Sequence, residues 1–346
     1  MTADAPKLAP SPEIWLQPAL HPVYTRLLCA ELRGRGFSEA QIIEGTRLDW
    51  KTLHTDNRFL SFEQMRRLIL HALALTDCPW LGIDVGSRTQ VSAHGALGQA
   101  AAASSNLAQT IALLQRYMPL RQRMASLQLI PGEGASIAVN EYLMSDDVRE
   151  YLLGHLVASM LRLLETVTGL DLKAEIRIEW PFAAPAWAGQ YQRVAAHNEF
   201  GHAQLRVHLT PALLNSPSLA ADPEAARVAH RDCEHQLQRQ LAGGNLTQRI
   251  QQRLVNCKDG YPALEALAAE EHVSARTLIR RLHEEGSTYQ QLLDDVREEL
   301  ACWLLQQTSL PIDAIAERLG YGDTSNFSRT FRRWMNMTPR EFREGR

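Results

Sequence analysis

Residues 311–343 read PIDAIAERLGYGDTSNFSRTFRRWMNMTPREFR, and their spacing predicts two short helices joined by a tight turn. Ile312, Ile315, Ala316 and Leu319 fall at i, i+3, i+4 and i+7, one apolar face of a helix. Pro311 suits the first helical turn, where its missing N–H costs nothing. Gly320 stands where that helix must stop, a position that favours a left-handed residue. Asp323 or Thr324 can cap a second helix. On that helix Phe327, Phe331 and Trp334 share one face, while Ser325, Arg329 and Arg332 rotate to the other. Asn336 suits the left-handed position that ends it, and Thr338-Pro339 opens a last short helix.

Aromatic residues inward and a Ser/Arg face outward, directly after a helix and turn, suit a major groove. The competing reading is a three-helix corner whose charged face is merely solvated. Charge favours the groove locally. Net charge over all 346 residues is −3, but residues 318–346 hold seven Arg against Asp323, Glu341 and Glu344, so 7 − 3 = +4. A basic patch on one element is what DNA binding needs.

The run A-x3-G-Y-x-D-x-S-N-F-S-R-x-F-R-R-W-x-N-x-T-P-x-x-F-R, from Ala316 to Arg343, resembles the signature of the AraC family of transcriptional regulators. Asn336 departs from it, standing where the family usually has Gly; Asn is the next-best left-handed residue, so the turn is preserved. The resemblance extends over residues 246–345 and implies two reading helices. Consistent with this, the spacing predicts helices over about 247–256, 262–270 and 275–284, the last capped by Ser274 after a turn at His272-Val273. Leu278 and Leu282 point inward there, which leaves Arg276, Arg280 and His283 outside. Between the two units, Thr288 to Thr308 reads as one helix with Leu292, Val296, Leu300 and Leu304 along a side. About 20 residues span roughly 30 Å, close to the roughly 34 Å at which the major groove returns to one face of DNA.

Position by position, the resemblance implies base-facing roles for Arg276, Thr277, Ile279 and Arg280 in the first reading helix. In the second it implies them for Thr324, Ser325, Asn326 and Arg329. Arg can grip guanine O6 and N7, Asn the edge of adenine, and Ile279 a thymine methyl. Arg332 and Arg333 are better placed for phosphates, which add affinity without sequence information.

The first 220 residues predict an α+β domain, so the fold class is α+β followed by an all-α C-terminal half. Helical spacing marks 22–32, 62–75, 107–117 and 148–167, and period-two alternation marks strands at 136–142, 175–180 and 205–209. The glycine-interrupted stretch WLGIDVGSRTQVSAHGALGQAAAA, residues 80–103, separates the early helices. L-G-x3-G at 81–86, H-G-A-L-G at 94–98 and the segment 200–214 resemble the arabinose-binding-domain type of AraC regulator, which implies an effector-sensing, dimerising domain over 13–220. His94 is expected either to line an effector pocket or, the favoured reading, to be hydrogen-bonded within its loop. Arg121 and Arg123 read as a surface charge pair at a helix end, with an anionic effector the alternative. His197, Glu199 and His202 read as a solvated loop rather than a metal site. Residues 221–245 form a connector: a polar helix over 223–241 whose stripe of Ala226, Cys233, Leu237 and Leu241 is either a dimer seam or shallow packing on its own domain, then a Gly243-Gly244 hinge. Residues 1–12, rich in Pro and Ala, are expected to lack order.

Several classes are excluded. The five cysteines, Cys29, Cys78, Cys233, Cys257 and Cys302, make no C-x-x-C pair and are odd in number, so neither a zinc site nor a disulfide framework is indicated. A DNA-repair methyltransferase can carry this DNA-binding module, but it would need a cysteine cluster that the N-terminal half lacks. No G-x-S-x-G, Walker or GxGxxG run is present, so no enzyme, cofactor or metal is expected. A DNA-bending protein of little specificity is disfavoured by two separate reading helices with mixed side chains. No signal peptide or spanning segment is legible, and the chain is expected in the cytoplasm, off the membrane. Its expected partners are promoter DNA, a small-molecule effector, a second copy of the chain and RNA polymerase.

Overall fold

The computed structural model describes residues 12–132, 134–257 and 260–344. Most of the stretch expected to lack order, residues 1–11, lies outside the described residues. Two compact units divide the chain: Ala19–Gln240, and Leu241–Arg346 with Met1–Pro18. No single helix among the described residues is long and apolar enough to cross a membrane.

In the first unit the named helices are α1 (Pro22–Gly34), α2 (Phe62–Thr76), α3 (Leu81–Ser87), α4 (Ala96–Ala102), α5 (Leu107–Tyr117), α6 (Asp146–Thr168) and α7 (Pro223–Leu241). Besides a small pairing of 18–20 with 60–61, one five-stranded sheet holds β1 (Ala125–Pro131), β2 (Ala135–Glu141), β3 (Arg177–Trp180), β4 (His197–Phe200) and β5 (Arg206–Leu209), in the order β1-β2-β5-β3-β4. All neighbours are antiparallel except the parallel pair β3 and β4. The register places Leu129, Ile137, Val207 and Ile178 in one row across four strands, so period-two alternation turns apolar side chains onto a single face.

Helix α6 is the central element: 14 of its 23 residues are buried. A helix apolar on most sides must be covered on most sides. The glycine-rich stretch supplies one cover. A Cβ on Gly82 would stand 2.2 Å from the Tyr151 carbonyl oxygen, and one on Gly86 2.7 Å from that of His155. The L-G-x3-G spacing thus puts two glycines on one helical face, where α3 meets the backbone of α6. Two strands of this sheet are not legible in the sequence. β1 loses its alternation at Leu129-Ile130, and β4 is a polar, four-residue edge strand. The expected solvated loop at 197–202 is therefore corrected: residues 197–200 are paired to β3.

The connector helix α7 lies against its own unit. Cys233 is fully buried in the main core, and the Tyr117 hydroxyl donates to Glu234 at 2.9 Å. Of the stripe only Leu241 is strongly exposed. Shallow packing, not a free seam, accounts for Ala226, Cys233 and Leu237.

The second unit holds α8 (Leu246–Val255), α9 (Leu264–Glu270), α10 (Ala275–Glu284), α11 (Tyr289–Gln307), α12 (Ile312–Arg318), α13 (Thr324–Met335) and α14 (Pro339–Glu344). Caps set its boundaries. The side chains of Ser274, Thr288 and Asp323 accept from backbone N–H groups at the starts of α10, α11 and α13, and Asn336 ends α13 with φ 56°. His272 takes the left-handed turn between α9 and α10 with φ 55°, and Gly320 takes the one after α12 with φ 74°. Pro311 stands at the N-cap of α12 rather than inside its first turn. Residues 14–18, expected with the sensor half, belong here instead. Trp15 is buried with its ring 6.3 Å from that of Trp303 on α11, nearly perpendicular to it, and the Gln17 amide donates to Asn256 at 2.9 Å.

Candidate nucleic-acid interface and effector cavity

Helix α10 buries Leu278 and Leu282, and α13 buries Phe327 and Phe331. Rotation by 100° per residue then turns the remaining positions outward. Arg276, Ile279 and Arg280 are exposed, as are Ser325, Asn326, Arg329, Arg332 and Arg333, while Thr277 and Thr324 are half-buried. The Thr277 hydroxyl is 2.9 Å from the capping Ser274 hydroxyl, so it supports the start of the helix. Arg280 is engaged with Glu284 one turn on. Both are exposed, and such a pair is worth roughly 0–1 kcal/mol, little enough to exchange for a base edge. Among the described residues no carboxylate pairs with Arg276, Arg329, Arg332 or Arg333; in particular Arg329 makes no ion pair with Glu317 or Asp323. Four unpaired guanidinium groups on two helical faces form a surface that attracts anions.

Three contacts hold these faces. Arg249 of α8 makes a bidentate pair with Glu271 in the turn before α10, and Glu285 just after α10 accepts the backbone N–H groups of Leu246 and Thr247. On α11, Arg297 lies 5.0 Å from the ring centre of Tyr261 and 5.1 Å from that of Tyr321. Tyr261 precedes α9 and Tyr321 forms the turn before α13, so one side chain touches both helix-turn-helix units. Arg297 is not legible in the sequence, because one arginine on a long amphipathic helix looks like any solvated charge.

The second site is a cavity inside residues 19–240. Its volume is about 100 Å3. Its walls come from α1, α2, α4, α5, β1 and α6, and are mostly leucine and methionine; no Asp or Glu is among them. Polar groups gather in one region. The Tyr24 hydroxyl is 2.9 Å from His94 Nδ1, and Arg121 Nε donates to the His94 carbonyl oxygen at 2.7 Å. His155 lies beside them, its ring 5.7 Å from that of Tyr24. Among the described residues, His94 Nε2 and both ring nitrogens of His155 are buried without hydrogen-bond partners. Burial, and then Arg121, push the His94 pKa down to about 4. Burial, and then His94, do the same to His155, to about 4. Both rings are neutral near pH 7, each with one N–H and one lone pair.

Gly95 makes room for the arginine. Its φ is 58°, and a Cβ there would stand 1.4 Å from Arg121 Nη2. His94 thus lines the cavity, and its ring bonds to Tyr24 on α1 rather than within its own loop. Arg121 is corrected: it is a cavity residue and not half of a surface pair. Arg123 is exposed, with its guanidinium 4.8 Å from the ring centre of Phe59. His155 was missed, although a lone histidine between Leu152 and Leu156 on an apolar helix was the available signal. The Glu199 and His202 group gains Glu179, with all ligand atoms within 4.8 Å of one another. Arg177 already pairs with both carboxylates, at 3.1 and 3.0 Å, so a guanidinium supplies the positive charge there.

Residues 36–218 match the family model described as the arabinose-binding domain of AraC transcription regulator, N-terminal. Residues 267–345 match a helix-turn-helix domain model. The chain is 32% identical over 311 residues to the ornithine utilization regulator of Pseudomonas aeruginosa, covering 89% of this chain and 91% of that protein. It is 26% identical over 274 residues to the HTH-type transcriptional regulator VqsM of the same species, covering 76% and 83%. The crystal structure of the transcriptional regulator CdpR from Pseudomonas aeruginosa aligns at a TM-score of 0.47 and 22% identity, over 93% of this chain and 98% of that one. The relatives are named as transcriptional regulators and not as enzymes.

Proposed function

Because the chain belongs to the AraC family of transcriptional regulators, we propose that its two arginine-bearing helices read adjacent major-groove segments of one operator, under the control of a small molecule held in the cavity of residues 19–240. The observation that carries this reading is the pair of exposed faces, α10 with Arg276 unpaired and Arg280 in an exposed pair, α13 with Arg329, Arg332 and Arg333 unpaired, tied through Arg297 to one connecting helix. Helix α11 has 19 residues and is therefore about 28 Å long, of the order of one turn of DNA.

Roles divide by position. Arg276, Thr277, Ile279 and Arg280 face one set of base edges and Thr324, Ser325, Asn326 and Arg329 the next, while Arg332 and Arg333 neutralise phosphates. Residues 246–346 bind DNA and residues 19–240 sense the effector, with Gly243-Gly244 as the joint. A homodimer, contact with RNA polymerase and a cytoplasmic site of action are supported by the family resemblance alone; the α7 stripe is occupied by its own unit. The name of the ornithine utilization regulator would suggest ornithine as an effector. The cavity argues otherwise, since no carboxylate lines it to meet an ammonium group.

Selecting bound sequences from a random DNA pool and footprinting the selected site tests this reading. Protection of two major-groove segments about 10 base pairs apart is expected; protection of a single segment would remove the second reader.

A further inference from the structure

We propose that the cavity takes a small amphipathic monocarboxylate, its carboxylate held by Arg121 with His94 and His155 and its apolar chain lying among the leucine and methionine walls. This rests on the reading of the cavity as the effector site.

The first argument is charge. Arginine stays protonated under all ordinary conditions, and taking it out of water without a counter-charge is costly. Arg121 spends its Nε on the His94 carbonyl, and no carboxylate among the described residues pairs with its guanidinium. The cavity walls also lack one. An entering anion supplies the missing charge, and a planar carboxylate matches the guanidinium fork.

The second argument is hydrogen bonding. Gln122, also in the wall, is spent on the backbone of Met124 and Ala125, and Ser159 donates to the Leu156 carbonyl. What remains is one nitrogen of His94, two of His155 and the hydroxyl of Tyr151, whose ring stacks on that of His155. In the tautomer in which Nδ1 accepts from the Tyr24 O–H, the neutral ring carries its proton on Nε2 and can donate to a carboxylate oxygen. A sugar would bring hydroxyls all round its ring to a wall with polar groups in one region only. A diamine or amino acid would bring an ammonium with no acid to meet it.

The third argument is shape. The walls also include Leu114, Leu127, Met144, Leu156, Met160 and Leu163. Methionine walls adapt to an irregular chain. The open space of about 100 Å3 is of the order of roughly 150 Å3 in an apolar cavity that holds benzene, so the chain is on the order of six to ten heavy atoms.

Isothermal calorimetry on the full chain, with octanoate, 1-octanol, octylamine and arabinose as probes, tests the proposal. Octanoate should bind about tenfold or more tightly than octanol, with octylamine and arabinose weaker still. R121Q should bring octanoate and octanol within about twofold of each other, and R121K should keep part of the preference. Circular dichroism of both variants establishes that they fold, and the native comparison stands without them. If octanol binds as tightly as octanoate to the native chain, the anion claim falls while the cavity remains a ligand site. If neither binds, and octanoate leaves an L156W chain and the native chain at the same thermal midpoint shift, the cavity reading falls as well.

Discussion

The guanidinium of Arg297 lies 5.1 Å from the ring centre of Tyr321, and this contact links the connecting helix to the turn that presents the second reading helix. The same guanidinium reaches Tyr261 ahead of the first unit, so it fixes both readers to one rod. Each cation–π contact is worth roughly 0.5–2 kcal/mol. Arg297→Ala should lower the stability of the C-terminal unit by about 1–3 kcal/mol and reduce operator binding more than binding to random DNA. Equal losses on both DNAs would mean that the contact stabilises without aligning the readers.

Trp15 extends that unit. It is 5% exposed against Trp303 on α11, and truncating a buried tryptophan costs about 3–5 kcal/mol. Trp15→Ala should therefore speed amide hydrogen exchange along residues 292–305, a region far away in sequence. Unchanged exchange there would show that the N-terminal segment contributes nothing to the unit.

The buried histidines predict a pH dependence. His21, His94 and His155 are each lowered to about 4, chiefly by burial, against an unfolded value of about 6.5. Between those values the unfolded chain binds more protons than the folded one, so stability rises with pH in that window. It is fully present above about 6.5 and is lost as pH falls toward 4, with a slope approaching about 1.4 kcal/mol per pH unit for each histidine. Thermal midpoints from pH 7.5 to 4.5 should fall accordingly, and His155→Gln should flatten the curve. A flat profile in the native chain would contradict the burial of these rings.

Helix α3 should tolerate no side chain at its contact with α6. A Cβ at Gly82 meets a backbone oxygen at 2.2 Å, and backbone cannot rotate away as a side chain can. Gly82→Ala should cost about 1–3 kcal/mol or more and weaken ligand binding, since Tyr151 is part of the cavity wall. A variant as stable as the native chain would show that the two helices are not in close contact.

What the sequence made legible follows from how local each signal is. The C-terminal half was readable because caps and turns are short-range: Ser274, Asp323, Gly320 and Asn336 each do locally what their chemistry suggests. The expected second reading helix, 324–335, coincides with the observed one. The cavity was not readable, because its walls run from Leu20 to Leu163 and each of those residues looks like ordinary core on its own element. Arg121 beside Arg123 resembled a surface pair because nothing nearby reveals that Gly95, 26 positions earlier, leaves space for one of them. Trp15 was assigned by proximity in sequence, whereas its partner lies on α11.

The central claim is that this chain reads DNA sequence through α13, and Arg329 and Arg333 separate reading from gripping. Arg329 lies opposite Phe327 and Phe331 on the outward face, and Arg333 lies toward the end of the helix, where the strand backbone should pass. The deciding measurement is the affinity of native, Arg329→Ala and Arg333→Ala chains for the selected operator and for scrambled DNA at several salt concentrations. Arg329→Ala should cost about 1–3 kcal/mol on the operator and little on scrambled DNA. Arg333→Ala should weaken both alike and reduce the salt slope by about one unit. Equal losses on both DNAs for Arg329→Ala would contradict the account.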